Sequence, residues 1–170
     1  MDFKEQLRHV ADFPEEGIDF IDITTVLEDN EAFHAMIEAM IDKVKDLDID
    51  LVVGAESRGF IIGAPLAYAL GTGFVPVRKK GKLPYKTIEA DYTLEYGTNT
   101  LEMHVDAVKK GQKVLIVDDL LATGGTALAS CRLVEQLGGT VEGLLFFVEL
   151  TELEGREKIR DYRVDIITKV

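Results

Sequence analysis

Residues 114–126 read VLIVDDLLATGGT. Four apolar residues run into two adjacent carboxylates, Asp118 and Asp119, and then into Ala122-Thr123-Gly124-Gly125-Thr126. Glycines at 124 and 125 let the backbone turn tightly and present its N–H groups. Thr123 and Thr126 add hydroxyl donors, and a helix starting just after them would aim its positive end at the same point. That combination suits a phosphate monoester. It is not a nucleoside-triphosphate P-loop, because Gly-x-x-x-x-Gly-Lys-Ser/Thr is absent, and the Gly-x-Gly-x-x-Gly dinucleotide fingerprint is missing here too. The carboxylates acquire a purpose if the ligand carries vicinal hydroxyls beside its phosphate, as a sugar phosphate does. They would accept hydrogen bonds from those hydroxyls and tolerate or position a divalent cation. The plain alternative is an ordinary strand-to-helix turn with Asp119 as a helix cap.

The surrounding elements are what must position this loop. Residues 31–45 carry Phe33, Met36, Ile37, Met40, Ile41 and Val44 at helical spacing. A buried strand is expected at Leu51–Val53, ending in a glycine-containing loop, with a helix from Gly59 packed on it. Further strands are expected at about Phe74–Val77, at two short segments around the turn signal Gly97-Thr98-Asn99, at 113–119, over TVEGLLFFVEL and at the final YRVDIIT. A helix should follow the glycine loop and close at a glycine pair. Continuous apolar strands alternating with helices predict an α/β fold with a mostly parallel sheet. In such sheets ligands sit beyond the C-terminal strand ends, where the loops 55–59 and 118–126 both fall.

Composition narrows the class. A chain of 170 residues with 46% hydrophobic residues suits one domain, 1–170, with a real core. The net charge of −12 argues against nucleic acid or an anionic membrane as the main partner. It leaves room for a small anionic ligand, which feels the local field, and Arg78, Lys79, Lys80, Lys82 and Lys86 cluster in one place. Cys131 is the only cysteine, so no internal disulfide forms and a cytoplasmic location fits. The polar, mixed-charge N-terminus does not read as a targeting peptide, and no apolar run approaches the ~20 residues that span a bilayer.

The loop resembles the phosphoribosyl-diphosphate (PRPP) signature of the type I phosphoribosyltransferases. The resemblance extends over DFPEEGIDFIDIT at 12–24, GAESRGFIIGAPLA at 54–67, VRKKGKLP at 77–84, YTLEYG at 92–97, VDDLLATGGT at 117–126 and ELTELEGREK at 149–158. In this order, and over nearly the whole chain, these blocks resemble the adenine phosphoribosyltransferases. The resemblance implies conversion of adenine and PRPP to AMP and diphosphate with Mg2+, in purine salvage. It implies a type I phosphoribosyltransferase-like fold: a parallel sheet of about five strands flanked by helices, and a small N-terminal hood at about 1–30. A homodimer is implied as well.

Carried over residue by residue, Ala122, Thr123, Gly124, Gly125 and Thr126 would hold the 5′-phosphate, and Asp118 and Asp119 the ribose hydroxyls. Glu56, Ser57 and Arg58 match the diphosphate loop, Arg58 offering a planar fork to phosphate oxygens; a surface ion pair is its other reading. Arg78, Lys79 and Lys82 would face the diphosphate, although by composition alone such runs are solvated surface. Residues 81–92 read as a lid that excludes water. Glu95 would exchange a proton with the purine and Tyr96 would cover the site; by alternation alone Glu95 could equally face solvent. These two and Arg58 are the candidate catalytic residues. Phe20 would stack on adenine, with Phe13, Ile18 and Ile23 near enough in sequence for a core role to remain open. Leu150 would close the other side of the base. No protein-held metal site is expected, Mg2+ arriving with PRPP.

One departure stands out. Many members of the family carry Arg or Lys after the hood phenylalanine, where this chain has Ile21. His9, His34 and His104 show no ligand spacing, and residues 149–161 read as a solvated helix beyond their first positions. The rival readings are a phosphoribosyltransferase for another base and a non-catalytic PRPP-binding regulator.

Overall fold

The computed structural model describes residues 1–94 and 97–170. A short 3-10 turn, Lys4–Gln6, precedes an antiparallel pair, β1 (Arg8–Ala11) and β2 (Asp19–Asp22). Helices α1 (Thr24–Leu27) and α2 (Asn30–Val44) lead to β3 (Leu51–Ala55), α3 (Arg58–Leu70) and β4 (Gly73–Lys79). The hairpin β5 (Thr87–Leu94) and β6 (Gly97–His104) follows, then β7 (Lys113–Leu121), α4 (Gly125–Gln136), β8 (Thr140–Glu149) and β9 (Val164–Lys169). Strands β3 to β9 form one sheet in the order β5-β6-β4-β3-β7-β8-β9. The run β4-β3-β7-β8-β9 is parallel throughout, and the hairpin adds two antiparallel strands at one edge. The expected five-stranded parallel core is thus present, and a hairpin extends it to seven.

All five residues of β3 are buried because both sheet faces are covered. Side chains alternate between faces along each strand. Val52, Leu115, Val117, Leu145 and Phe147 pack with α2, α3 and the N-terminal segment. Val53, Val114, Ile116, Leu144 and Phe146 pack with α4 and the hairpin. Asp29 caps α2, its carboxylate accepting the Ala32 N–H at 2.8 Å. The same alternation divides β2. Ile21 is 3% exposed inside the α2/α3 cluster, while Phe20 is half-buried and belongs to neither cluster. The departure at position 21 is therefore a core residue.

Three local expectations change. Gly97 already belongs to β6, so Gly97-Thr98-Asn99 lies within a strand paired to Leu94, Thr93 and Tyr92. From Thr87 onward the segment read as a lid is strand β5, with Ile88, Ala90 and Tyr92 turned to the core. Alternation at 88, 90 and 92 was the overlooked signal. The charged segment after β8 forms two 3-10 turns, Thr151–Leu153 and Gly155–Ile159, instead of one helix. Glu154 between them adopts φ +50°, which ends the first turn, and Ile159 is drawn fully into the core.

Ile21→Ala should destabilise the protein by about 2–5 kcal/mol in urea unfolding. A loss below about 0.5 kcal/mol, the range of surface substitutions, would place the side chain outside the core.

Candidate active site

The crossover β3-α3-β4 moves one way across the sheet and β7-α4-β8 moves the other. Helix α3 packs on one face and α4 on the opposite one. The reversal point lies between β3 and β7, and α/β sheets open a crevice there, beyond the strand ends. Strand β3 stops pairing with β7 at Gly54–Val117, whereas β7 continues along β8 to Leu121–Glu149. Asp118 and Asp119 therefore emerge past the end of β3. A cleft of about 420 Å³ results, walled by Glu56–Arg58 and Lys79 on one side and by Asp118–Ala127 and Phe146 on the other.

Asp118 accepts the backbone N–H of Asp119 at 2.9 Å through Oδ1. A Cβ on Gly59 would lie 2.8 Å from that oxygen, so α3 can approach only with glycine in its first turn. Desolvation, and next the charge of Asp119, push the Asp118 carboxyl well above the usual carboxylate range; Arg58 opposes them. Asp119 is 4% exposed. Its Oδ2 lies 2.6 Å from Nε of Arg58, an ion pair that is not aligned as a hydrogen bond. The Arg58 guanidinium also sits over the Phe20 ring, 5.4 Å from its centroid, and Phe13 meets Phe20 edge-on at 5.1 Å. Arg58 thus joins the carboxylate pair to the hood's aromatic residue.

Glu56 has a different place from the one its motif suggests. Its buried carboxylate accepts the Lys79 N–H and lies 3.3 Å from Nη2 of Arg78 and 3.4 Å from Nζ of Lys82. Burial pushes its carboxyl up, but the Lys79 N–H and the Arg78 and Lys82 cations outweigh that and hold it below its ordinary value. Glu56 gathers the cation cluster, and Lys79 reaches the cleft wall itself.

The glycine loop begins α4. Gly124 takes φ +84°, and a Cβ there would meet the Gly155 carbonyl at 2.4 Å. Gly125 packs under Tyr92, whose ring atom lies 3.1 Å from the position of a Cβ. Leu150 follows β8, its N–H donating to the Leu121 carbonyl at 2.9 Å, and does not line the cleft. The cleft thus unites Glu56, Ser57, Arg58, Lys79, Asp118, Asp119 and Ala122–Thr126; Phe20 joins through Arg58, and Arg78 and Lys82 through Glu56. Glu95 and Tyr96 lie outside the described residues. Tyr92, Phe146 and Gly155 were missed from sequence, since contacts between distant segments leave no local pattern.

Among the described residues no group of three or more His, Cys, Asp or Glu side chains could hold a metal. The Asp119 Oδ2 already faces the Arg58 cation at 2.6 Å, so a Mg2+ here would depend on water and substrate oxygens for most of its ligands.

Residues 23–170 match the phosphoribosyl transferase domain family. Over 170 residues the chain is 65% identical to the adenine phosphoribosyltransferase of Acetivibrio thermocellus, covering 99% of each. The chain belongs to the adenine phosphoribosyltransferase family. Its fold superposes on the crystal structure of adenine phosphoribosyltransferase from Thermoanaerobacter pseudethanolicus with a TM-score of 0.97, at 53% identity, covering 99% of this chain and 98% of that one. It also superposes on the Saccharomyces cerevisiae enzyme complexed with an imino-altritol bisphosphate and adenine, with a TM-score of 0.89, 41% identity and coverage of 98% and 96%.

A carboxyl whose pKa is raised by folding favours the folded state below its ordinary value of 3.8 and loses that contribution as pH rises through its folded value. Asp118→Asn should therefore raise the melting midpoint of the free protein at pH 7. The gain should vanish as pH falls below 4, which melts across a pH series can follow. A midpoint lowered equally at both pH values would show that the carboxylate is not under repulsion.

Proposed function

We propose that the chain transfers the 5-phosphoribosyl group of PRPP to N9 of adenine, giving AMP and diphosphate. The observation that carries this is the meeting, in one cleft, of a carboxylate pair with an N–H-rich loop at a helix start. The bond from C1 of the ribose to the diphosphate oxygen breaks and the bond to N9 forms, through an oxocarbenium-like state. The backbone N–H groups and hydroxyls of Ala122–Thr126 bind the 5′-phosphate. Asp118 and Asp119 accept from the ribose hydroxyls and place their charge beside the developing cation. Arg58 and Lys79 receive the departing diphosphate, with Arg78 and Lys82 held near by Glu56 and with Ser57 in the diphosphate loop. When bound, Mg2+ neutralises charge on the diphosphate.

Phe20 offers a flat wall to adenine, supported by the presence of adenine in the related yeast complex, and Leu150 closes the base side from the segment after β8. Glu95 exchanges the purine proton, a step worth on the order of 10²–10⁴ in rate, and Tyr96 covers the site. Closure over the cleft falls to residues 81–86, because the strand pairing from Thr87 holds the rest. The protein works as a homodimer, supported by the exposed apolar side chains Ile61 and Tyr68 on α3. A cytoplasmic setting agrees with Cys131 as the only cysteine, and no described helix is long and apolar enough to cross a membrane.

The test is a base panel. With PRPP and Mg2+, adenine should yield nucleotide and diphosphate rapidly, and guanine, hypoxanthine, xanthine, uracil and orotate should not. Faster turnover of another base would overturn the adenine assignment, and PRPP binding without any turnover would point to a sensor.

A further inference from the structure

The phosphate loop does not stand alone. Gly124 touches the backbone of Gly155 with no side chain between them. A Cβ on Gly155 would lie 2.2 Å from the Ala122 carbonyl oxygen and 3.1 Å from the Gly124 nitrogen, and one on Gly124 would meet the Gly155 carbonyl at 2.4 Å. The 3-10 turn that begins at Gly155 is therefore moulded onto the loop. Such turns are short and weakly held by their own hydrogen bonds, so something else must fix this one.

Arg156, the next residue, donates from Nε to Oε1 of Glu149 at 2.7 Å. Glu149 is 5% exposed, the last residue of β8, and sits opposite Leu121, the residue that leads into the loop. Its Oε2 is buried without a hydrogen bond, and Nζ of Lys169 is 3.7 Å away. Arg156 is thus the one hydrogen-bond donor to this buried carboxylate's side chain among the described residues, and removing it would leave the carboxylate without a hydrogen bond, facing only the Lys169 cation at 3.7 Å. Neither Glu149 nor Arg156 lines the cleft.

We propose that the Glu149–Arg156 ion pair is a positioning device: it presses Gly155 against Ala122 and Gly124 and so sets the geometry of the 5′-phosphate loop. The inference rests on the assignment of Ala122–Thr126 to the 5′-phosphate. The diphosphate side of the cleft is built on β3 and β4, which lie across β7 from β8 in the sheet, and should be indifferent to this strut. Misplacement by about 1 Å can cost on the order of 10²-fold in rate, and the same loss of fit should weaken binding on the 5′-phosphate side alone.

The test titrates ribose 5-phosphate and, separately, Mg2+-pyrophosphate into the full chain and its variants by calorimetry. Arg156→Gln should weaken ribose 5-phosphate roughly tenfold or more and leave pyrophosphate unchanged, and Arg156→Lys should recover part of the loss. Gly155→Ala, a second variant independent of charge, should show the same split. Unchanged ribose 5-phosphate affinity in Arg156→Gln would overturn the strut, as would an equal loss for both ligands, which marks general destabilisation. A parent protein that binds pyrophosphate but not ribose 5-phosphate would instead overturn the loop assignment itself, and the strut with it.

Discussion

Two carboxylates side by side at a strand end, one of them almost wholly buried, repel each other and lose hydration. The rest of the cleft answers that cost. Arg58 closes to 2.6 Å on Asp119, and the Asp119 N–H donates to Asp118. Gly59 lets the start of α3 come within reach of Asp118 without a Cβ in the way. Desolvation and mutual repulsion still hold Asp118 well above the usual carboxylate range. A pair maintained against this penalty has a use when a ligand brings hydroxyl donors to it and an anion to the loop beside it. A local penalty of this kind is commonly found at functional sites.

The cations obey the same logic at longer range. The chain carries a net charge of −12, yet Glu56 collects Arg78, Lys82 and the Lys79 backbone at the mouth of the cleft. A single buried acid thus organises a positive wall that composition alone would assign to solvent. Arg58 links the carboxylate pair to the hood, since its guanidinium meets Asp119 on one side and the Phe20 ring on the other.

Much of this was legible in the residues because it is local. The apolar run of β7, the acid pair and the glycine turn into α4 are contiguous, and strand-helix alternation alone predicts the parallel sheet and the crevice. Position 21 was readable as a departure, and strand alternation explains it: β2 turns Phe20 away from the core and Ile21 into it. What escaped depends on contacts between distant segments. Gly155 lies about thirty residues after the loop it supports, and nothing near it in sequence announces the contact with Ala122 and Gly124. The two strands of the hairpin were expected, but the start of the first was not, since Ile88, Ala90 and Tyr92 alternate among charged neighbours, on an edge where one face meets water. Glu56 was read as part of an anion loop because its motif neighbours are, while its carboxylate faces cations.

The acid pair is proposed to face the sugar hydroxyls of a phosphorylated ribose. Comparing the affinities of ribose 5-phosphate and 2-deoxyribose 5-phosphate tests it directly. Loss of the hydroxyl leaves a buried acceptor unpaired, so the deoxy sugar should bind at least about tenfold more weakly. Equal affinity would mean that Asp118 and Asp119 do not hold the ribose, and their place beside the phosphate loop would need another explanation.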